Sequence, residues 1–153
     1  MIDQLEQLVQ GLGEIFQIPL HVDRNHACAI QIKKGLIIQL QTDIAQELLV
    51  ITSQIIELPP GKFRENVLQA AMRSNGKKDP LIGIFSYVPK SNQLFLFQKY
   101  PFDILTSERL ANLLVPFMDM AEHWRDAIGA GRAGPIDLPP PSSSTAGPFG
   151  LKP

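Results

Sequence analysis

The sequence predicts an α+β domain whose elements run α-β-β-β-α-β-β-α, followed by a tail of different character. Three observations predict it. Apolar residues recur every three or four positions in three segments, as on the buried stripe of a helix. Five shorter runs either alternate apolar with polar residues or are apolar throughout, and Gly, Pro and Asn bound them as they bound strands. Beyond residue 128, Gly, Pro and Ser make up 14 of the last 25 residues, a composition that buries too little apolar area to offset its own ordering.

The first helix is expected over Ile2–Phe16, where Ile2, Leu5, Leu8, Val9, Leu12, Ile15 and Phe16 form the stripe. Asp3 and Glu6 suit the positive end of its dipole. Gly11 and Gly13 each cost about 1 kcal/mol against alanine, so they mark fraying or a close approach to the backbone. Pro19 ends the element. Ala27 to Lys33 alternates, with Cys28, Ile30 and Ile32 on one face. Lys34-Gly35 supplies a turn, and Leu36 to Gln41 follows with Leu36, Ile38 and Leu40 on one face. Leu48 to Thr52 is apolar on both faces, as in a strand buried on both sides or facing a partner.

Leu58-Pro59-Pro60-Gly61 is punctuation. From Lys62 to Ser74 the helical period returns through Phe63, Val67, Leu68, Ala71 and Met72, and Asn75-Gly76 reads as a left-handed C-terminal cap. Leu81 to Val88 and Gln93 to Tyr100 form a second strand pair. With Leu94, Leu96, Phe95 and Phe97 both of its faces are apolar, which points to a second surface covered by another chain. Ser107 is expected to cap a last helix with the stripe Leu110, Leu113, Leu114, Phe117, Met118, Ala121, Trp124 and Ile128, kinked at Pro116.

Composition excludes several functions. The chain has 153 residues, 44% hydrophobic and 19% charged, and a net charge of −1. That is one globular domain without a field to recruit nucleic acid or anionic membrane. One cysteine makes no internal disulfide, and no signal peptide or span of about 18 apolar residues is visible, so a cytoplasmic protein is expected. Charge is uneven: residues 1–57 carry three basic and seven acidic side chains, residues 58–99 seven and two. Arg73, Lys77 and Lys78 read as a solvated loop.

Candidate chemistry is thin. Gly129-x-Gly131-x-x-Gly134 follows a helix and leads into proline, the wrong context for a dinucleotide loop. His26-x-Cys28 lacks further ligands at metal-site spacing, and Cys28 reads as a small buried hydrophobe. Asp119 and His123 are local neighbours on one helix. Pro139-Pro140-Pro141 suits a linker. No catalytic residue, metal or cofactor is expected. The surplus of apolar surface favours a protein that binds protein; a small α+β enzyme or ligand-binding domain built on Cys28 and His26 is the alternative.

One ordered set of residues resembles a known family. Leu5, Leu8 and Leu12-Gly13 precede Ile18-Pro19-Leu20; Asp23-x-Asn25-x-Ala27-Cys28 is similar to the segment entering the first strand of chlamydial members. Leu58-Pro59 with Phe63-Arg64, Ala70-Ala71-Met72, Asn75-Gly76, Ser91-Asn92-Gln93-Leu94-x-Leu96, and Leu113-Leu114-Val115-x-Phe117 with Ala121 and Trp124 complete it. Together they resemble the class I type III secretion chaperones of the Tir chaperone (CesT) type, over residues 2–128. The resemblance implies a twisted antiparallel sheet flanked by helices in a domain of residues 1–128, while the composition of 129–153 reads as a disordered tail. The resemblance also implies no catalysis, and bacterial cytoplasmic work as a homodimer or with a related chaperone. The partners it implies are secreted effectors, kept partly unfolded through their N-terminal segments, and components of the secretion apparatus; an apparatus adaptor is a further reading. Effector grooves are expected around Leu8, Leu12, Ile15, Ile30, Ile32, Ile38 and Leu40. The dimer interface is expected around Val67, Leu68, Ala71, Met72, Ile84, Phe85 and Leu96. The sequence departs from the family in its weak acidity, in Pro116 and in the proline-rich tail.

Overall fold

A computed structural model describes residues 2–33, 35–43, 45, 47–77 and 82–135. The elements are α1 (Ile2–Phe16), β1 (Ala27–Lys33), β2 (Leu36–Asp43), β3 (Leu48–Glu57), α2 (Lys62–Asn75), β4 (Ile84–Val88), β5 (Gln93–Pro101), a 3₁₀ turn at Phe102–Ile104, and α3 (Ser107–Gly129). The five strands form one antiparallel sheet in the order β1-β2-β3-β5-β4.

Register assigns the faces. One complete rung runs Ile30, Ile38, Ser53, Leu96, Phe85 across all five strands. Every one of these side chains is buried. They join Leu5, Leu8, Val9 and Leu12 of α1 and Leu110, Leu114, Phe117, Ala121 and Trp124 of α3 in a single core. Complete burial of each Leu or Ile contributes about 1.5–3 kcal/mol. Ser53 is the polar member of the rung, and its hydroxyl donates to the Ile37 carbonyl at 3.0 Å, which removes the cost of an unpaired hydroxyl. The next rung along, Ala29, Gln39, Thr52, Phe97, Ile84, lies on the opposite face.

Glycines mark where elements meet. A Cβ on Gly11 would strike Ser107 Oγ and lie 2.6 Å from Ser107 Cβ, so α1 and α3 cross in contact there. Ser107 Oγ donates to the Leu8 carbonyl at 3.2 Å across this crossing. The N-cap of α3 is therefore Thr106, whose hydroxyl accepts from the Arg109 N–H at 3.1 Å, while Ser107 is spent on α1. Gly35, at φ +85°, closes the β1–β2 turn against Arg125, whose guanidinium donates to the Gly35 carbonyl at 2.7 Å and to Ile55 at 3.2 Å.

Several local expectations change. β3 runs on to Glu57 and not only to Thr52, because a bulge between Gln54 and Ile56 lets it keep pairing with β5. β4 begins at Ile84; Leu81 and Lys78 lie outside the described residues. Gly76 caps α2 at φ −84°, outside the left-handed region. α1 instead ends with Gln17 at φ +58° and the Ile18 N–H on the Gly13 carbonyl at 3.0 Å. Pro116 sits inside α3, which continues through it.

Gly129 to Pro135 is ordered by helix capping. Gly131 (φ +88°) donates to the Ile128 carbonyl at 2.9 Å and Arg132 to Ala127 at 2.9 Å, the pair of bonds of a Schellman cap. The three glycines of the dinucleotide-like pattern thus end a helix and turn the chain back. Residues 136–153, including Pro139-Pro140-Pro141, lie outside the described residues.

The α1–α3 crossing yields a test. Propensity alone predicts that Gly11→Ala stabilises α1 by about 1 kcal/mol, whereas the close approach predicts a loss of about 1–3 kcal/mol from overpacking. We expect the loss, read as a lower urea midpoint. In a double-mutant cycle, Ser107→Gly should recover much of it, and strict additivity would refute the crossing.

Candidate protein-binding surfaces

Helices α1 and α3 seal one face of the sheet, and among the described residues no helix covers the other. That open face carries Ile37, 47% exposed, with Leu48, Val50, Ile84, Phe95 and Phe97 half-buried and Val88 exposed. Phe97 stands between Thr52 and Ile84 on its rung. The alternation in Leu94-Phe95-Leu96-Phe97 makes this unavoidable: Leu94 and Leu96 enter the core, so the two phenylalanines face outward.

The two sheet edges are treated differently. At β4, the Asn75 side chain accepts from the Phe85 N–H at 2.8 Å and donates to the Phe85 carbonyl at 3.0 Å. A single amide thus occupies the backbone groups that a further strand would use. Arg64 of α2 completes the clamp: it donates to the Tyr87 hydroxyl at 3.0 Å and lies 5.6 Å from its ring centroid, and that hydroxyl donates to Asn92 Oδ1 at 2.9 Å. The opposite edge, β1, has β2 as its one strand neighbour. Among the described residues its start is tied down through Asp23, whose N–H donates to the Ala27 carbonyl at 2.8 Å and whose carboxylate accepts from the Ala27 N–H at 3.1 Å.

A cleft of about 570 Å³ lies between α1 and residues 17–22, the segment whose His21 backbone bonds the Cys28 thiol of β1. Val9, Gly13, Ile18 and Leu20 give it an apolar lining, and Glu6 and Glu14 stand at its rim. Ile15 (43%) and Ile18 (39%) are exposed nearby. Gly13 is needed because a Cβ there would come within 2.9 Å of the Ile18 carbonyl.

The residues expected for effector binding divide. Leu8, Leu12, Ile30, Ile38 and Leu40 are buried in the protomer's core, Ile32 is half-buried and Ile15 is exposed. The apolar stripe of α1 and the inner face of β1–β2 are used up against each other and α3, so five of these side chains present no groove. Those expected at a dimer interface divide similarly. Val67, Ala71, Phe85 and Leu96 are core residues, Phe85 lying 4.4 Å centroid to centroid from Trp124. Met72 is 70% exposed, and Leu68 and Ile84 are half-buried. Sequence reasoning missed Ile18, Ile37 and Asn75. Opposite-phase residues of the same strands were the available signal for Ile37; nothing local announces that Asn75 reaches β4.

Chemistry is sparse here too. Burial pushes the Cys28 thiol up, a backbone hydrogen bond at His21 opposes this, and Asp23 adds to it. Among the described residues no three His, Cys, Asp or Glu side chains cluster to hold a metal ion. No helix there is long and apolar enough to cross a membrane.

A helix-backed antiparallel sheet with one open apolar face, one guarded edge and one free edge defines a protein-binding module. The chain belongs to the Tir chaperone protein (CesT) family, whose family model matches residues 7–125. None of the curated protein sequences matches it. Several solved structures share its fold, among them the following three. The HopA1–SchA chaperone–effector complex superposes with TM-score 0.66 at 18% identity, over 82% of this chain and 96% of the other. The Yersinia pestis type III secretion chaperone SycH, in complex with a fragment of YscM2, gives 0.61 at 16%, over 76% and 96%. The ExoT–SpcS complex of Pseudomonas aeruginosa gives 0.60 at 15%, over 80% and 97%.

Two outcomes are expected. Asn75→Ala should destabilise by about 1–3 kcal/mol, since it leaves the Phe85 N–H without its acceptor, and should speed hydrogen exchange at that amide. An unchanged exchange rate would refute the guarded edge. Cys28 should react slowly with a thiol reagent at pH 8 in the native protein and quickly in urea, because burial both hides the sulfur and disfavours its thiolate.

Proposed function

We propose that this protein is a type III secretion chaperone that holds the N-terminal segment of one or more secreted effectors in an extended, partly unfolded state for delivery to the secretion apparatus. The observation that carries the reading is the β1 edge, which has β2 as its one strand neighbour among the described residues, together with the α1 cleft and its apolar groups Val9, Ile18 and Leu20. An extended polypeptide gains main-chain hydrogen bonds at a strand edge, and pockets beside it select its apolar side chains. Glu6 and Glu14 at the rim favour a segment with cationic residues next to those anchors. Residues of this kind bind and orient; no chemical step enters the reading.

Self-association uses the other end of the sheet. The outward face of β4 and β5, with Ile84, Phe95 and Phe97, and Met72 on α2 are the apolar groups left for a second copy or a related chaperone. Family membership supports a bacterial cytoplasm as the place of work. Family membership and the chaperone–effector complexes among the structural neighbours support the effector as partner.

The reading is tested by isolating the protein from its native bacterium and mapping what is bound. Exported polypeptides held through their N-terminal segments are expected, and Ile15→Glu with Ile18→Glu should release them while leaving the melting temperature unchanged. Retention by that double variant would overturn the α1 site. Met72→Glu with Phe97→Glu should convert a dimer to a monomer by light scattering. Glutamate at the buried Phe85 should instead unfold the chain. A monomeric wild type would overturn the interface.

A further inference from the structure

A second apolar groove, about 430 Å³, lies between α2 and the C-terminal half of α3. Ala70, Met120 and Trp124 line it, and the exposed cations Arg73 and Lys77 stand at its rim. Its remaining wall is the chain itself. The Schellman cap after Gly129 sends Ala133, Gly134 and Pro135 back across α3, and Ala133 packs against the core. A Cβ on Gly134 would lie 3.2 Å from the Trp124 ring and 3.6 Å from the Ala70 Cβ, so the backbone rests on the indole. Pro135 is the last described residue, and it lines the groove.

We propose that this groove is the docking site of the chain's own next residues, Ile136-Asp137-Leu138-Pro139-Pro140-Pro141. Three features select this occupant. The segment starts at the groove with no intervening linker, so its effective concentration there exceeds that of any free peptide. Its apolar residues alternate about one acid, and in an extended course Ile136 and Leu138 fall on one side and Asp137 on the other. This order matches an apolar floor of Trp124 and Met120 beneath a rim of Arg73 and Lys77. Three consecutive prolines also restrict the free chain, which lowers the entropy lost on docking. The proposal does not rest on the chaperone reading: it concerns another face of the molecule and has its own readout.

Trp124 is the one tryptophan in the chain, so its emission reports on the groove directly. The experiment compares full-length chains by emission maximum and acrylamide quenching at low ionic strength. Ile136→Ser with Leu138→Ser should shift the emission to the red and raise quenching, and excess synthetic peptide of residues 136–141 should reverse both. Asp137→Lys should do the same, and Arg73→Glu with Lys77→Glu added to Asp137→Lys should restore the wild-type values. Wild-type quenching in the serine and lysine variants alike would overturn the proposal. So would quenching that depends on protein concentration, which assigns the groove to a second copy. Should the serine variant lose its fold, the charge exchange decides: failure to restore protection refutes docking.

Discussion

The structure depends on a sheet that is sealed on one side only. Helices α1 and α3 take the inner face, and they fit because Gly11 admits Ser107 at their crossing. A side chain there would lift one helix off the other and reopen the rung from Ile30 to Phe85. With both long helices committed inward, the outer face keeps Ile37 exposed and Val50, Phe95 and Phe97 half-buried. One packing decision thus produces both the core and the exposed apolar surface, from alternate residues of the same strands.

The second helix has a different task. Val67 and Ala71 dock it to the core, but its polar side chains manage the β4 edge: Asn75 satisfies Phe85, and Arg64 holds Tyr87 and the turn at Asn92. An unguarded edge recruits strands indiscriminately. Among the described residues β4 is guarded in this way and β1 is not, so the two edges of the sheet are unlike. The C-terminal turn follows the same economy. Gly129-x-Gly131-x-x-Gly134 supplies a helix cap and a close contact with Trp124, the conformational freedom of glycine serving geometry in place of a phosphate.

What was legible about binding was the surplus of apolar groups, and what was not was which of them face outward. In β1 and β2 the alternating residues Ile30, Ile32, Ile38 and Leu40 stood out because they are apolar, which is the very property that takes Ile30, Ile38 and Leu40 into the core. Their polar-phase neighbour Ile37 is the exposed one. In Val67, Ala71, Phe85 and Leu96 the same inversion occurs. A periodic stripe identifies a buried face without saying whether the burying surface belongs to the same chain or another.

By itself the sequence determined the element order, most element limits, the apolar character of both strand faces at Phe95–Leu96–Phe97 and the family pattern, because these are local periodicities of 3.6 and 2 written in side-chain polarity. Tertiary structure alone decided the strand order, the choice of inner face, the reach of Asn75 to Phe85 and the fold-back onto Trp124. Each of these joins residues ten or more positions apart through shape and hydrogen bonding, and no local pattern encodes the partner at the other end.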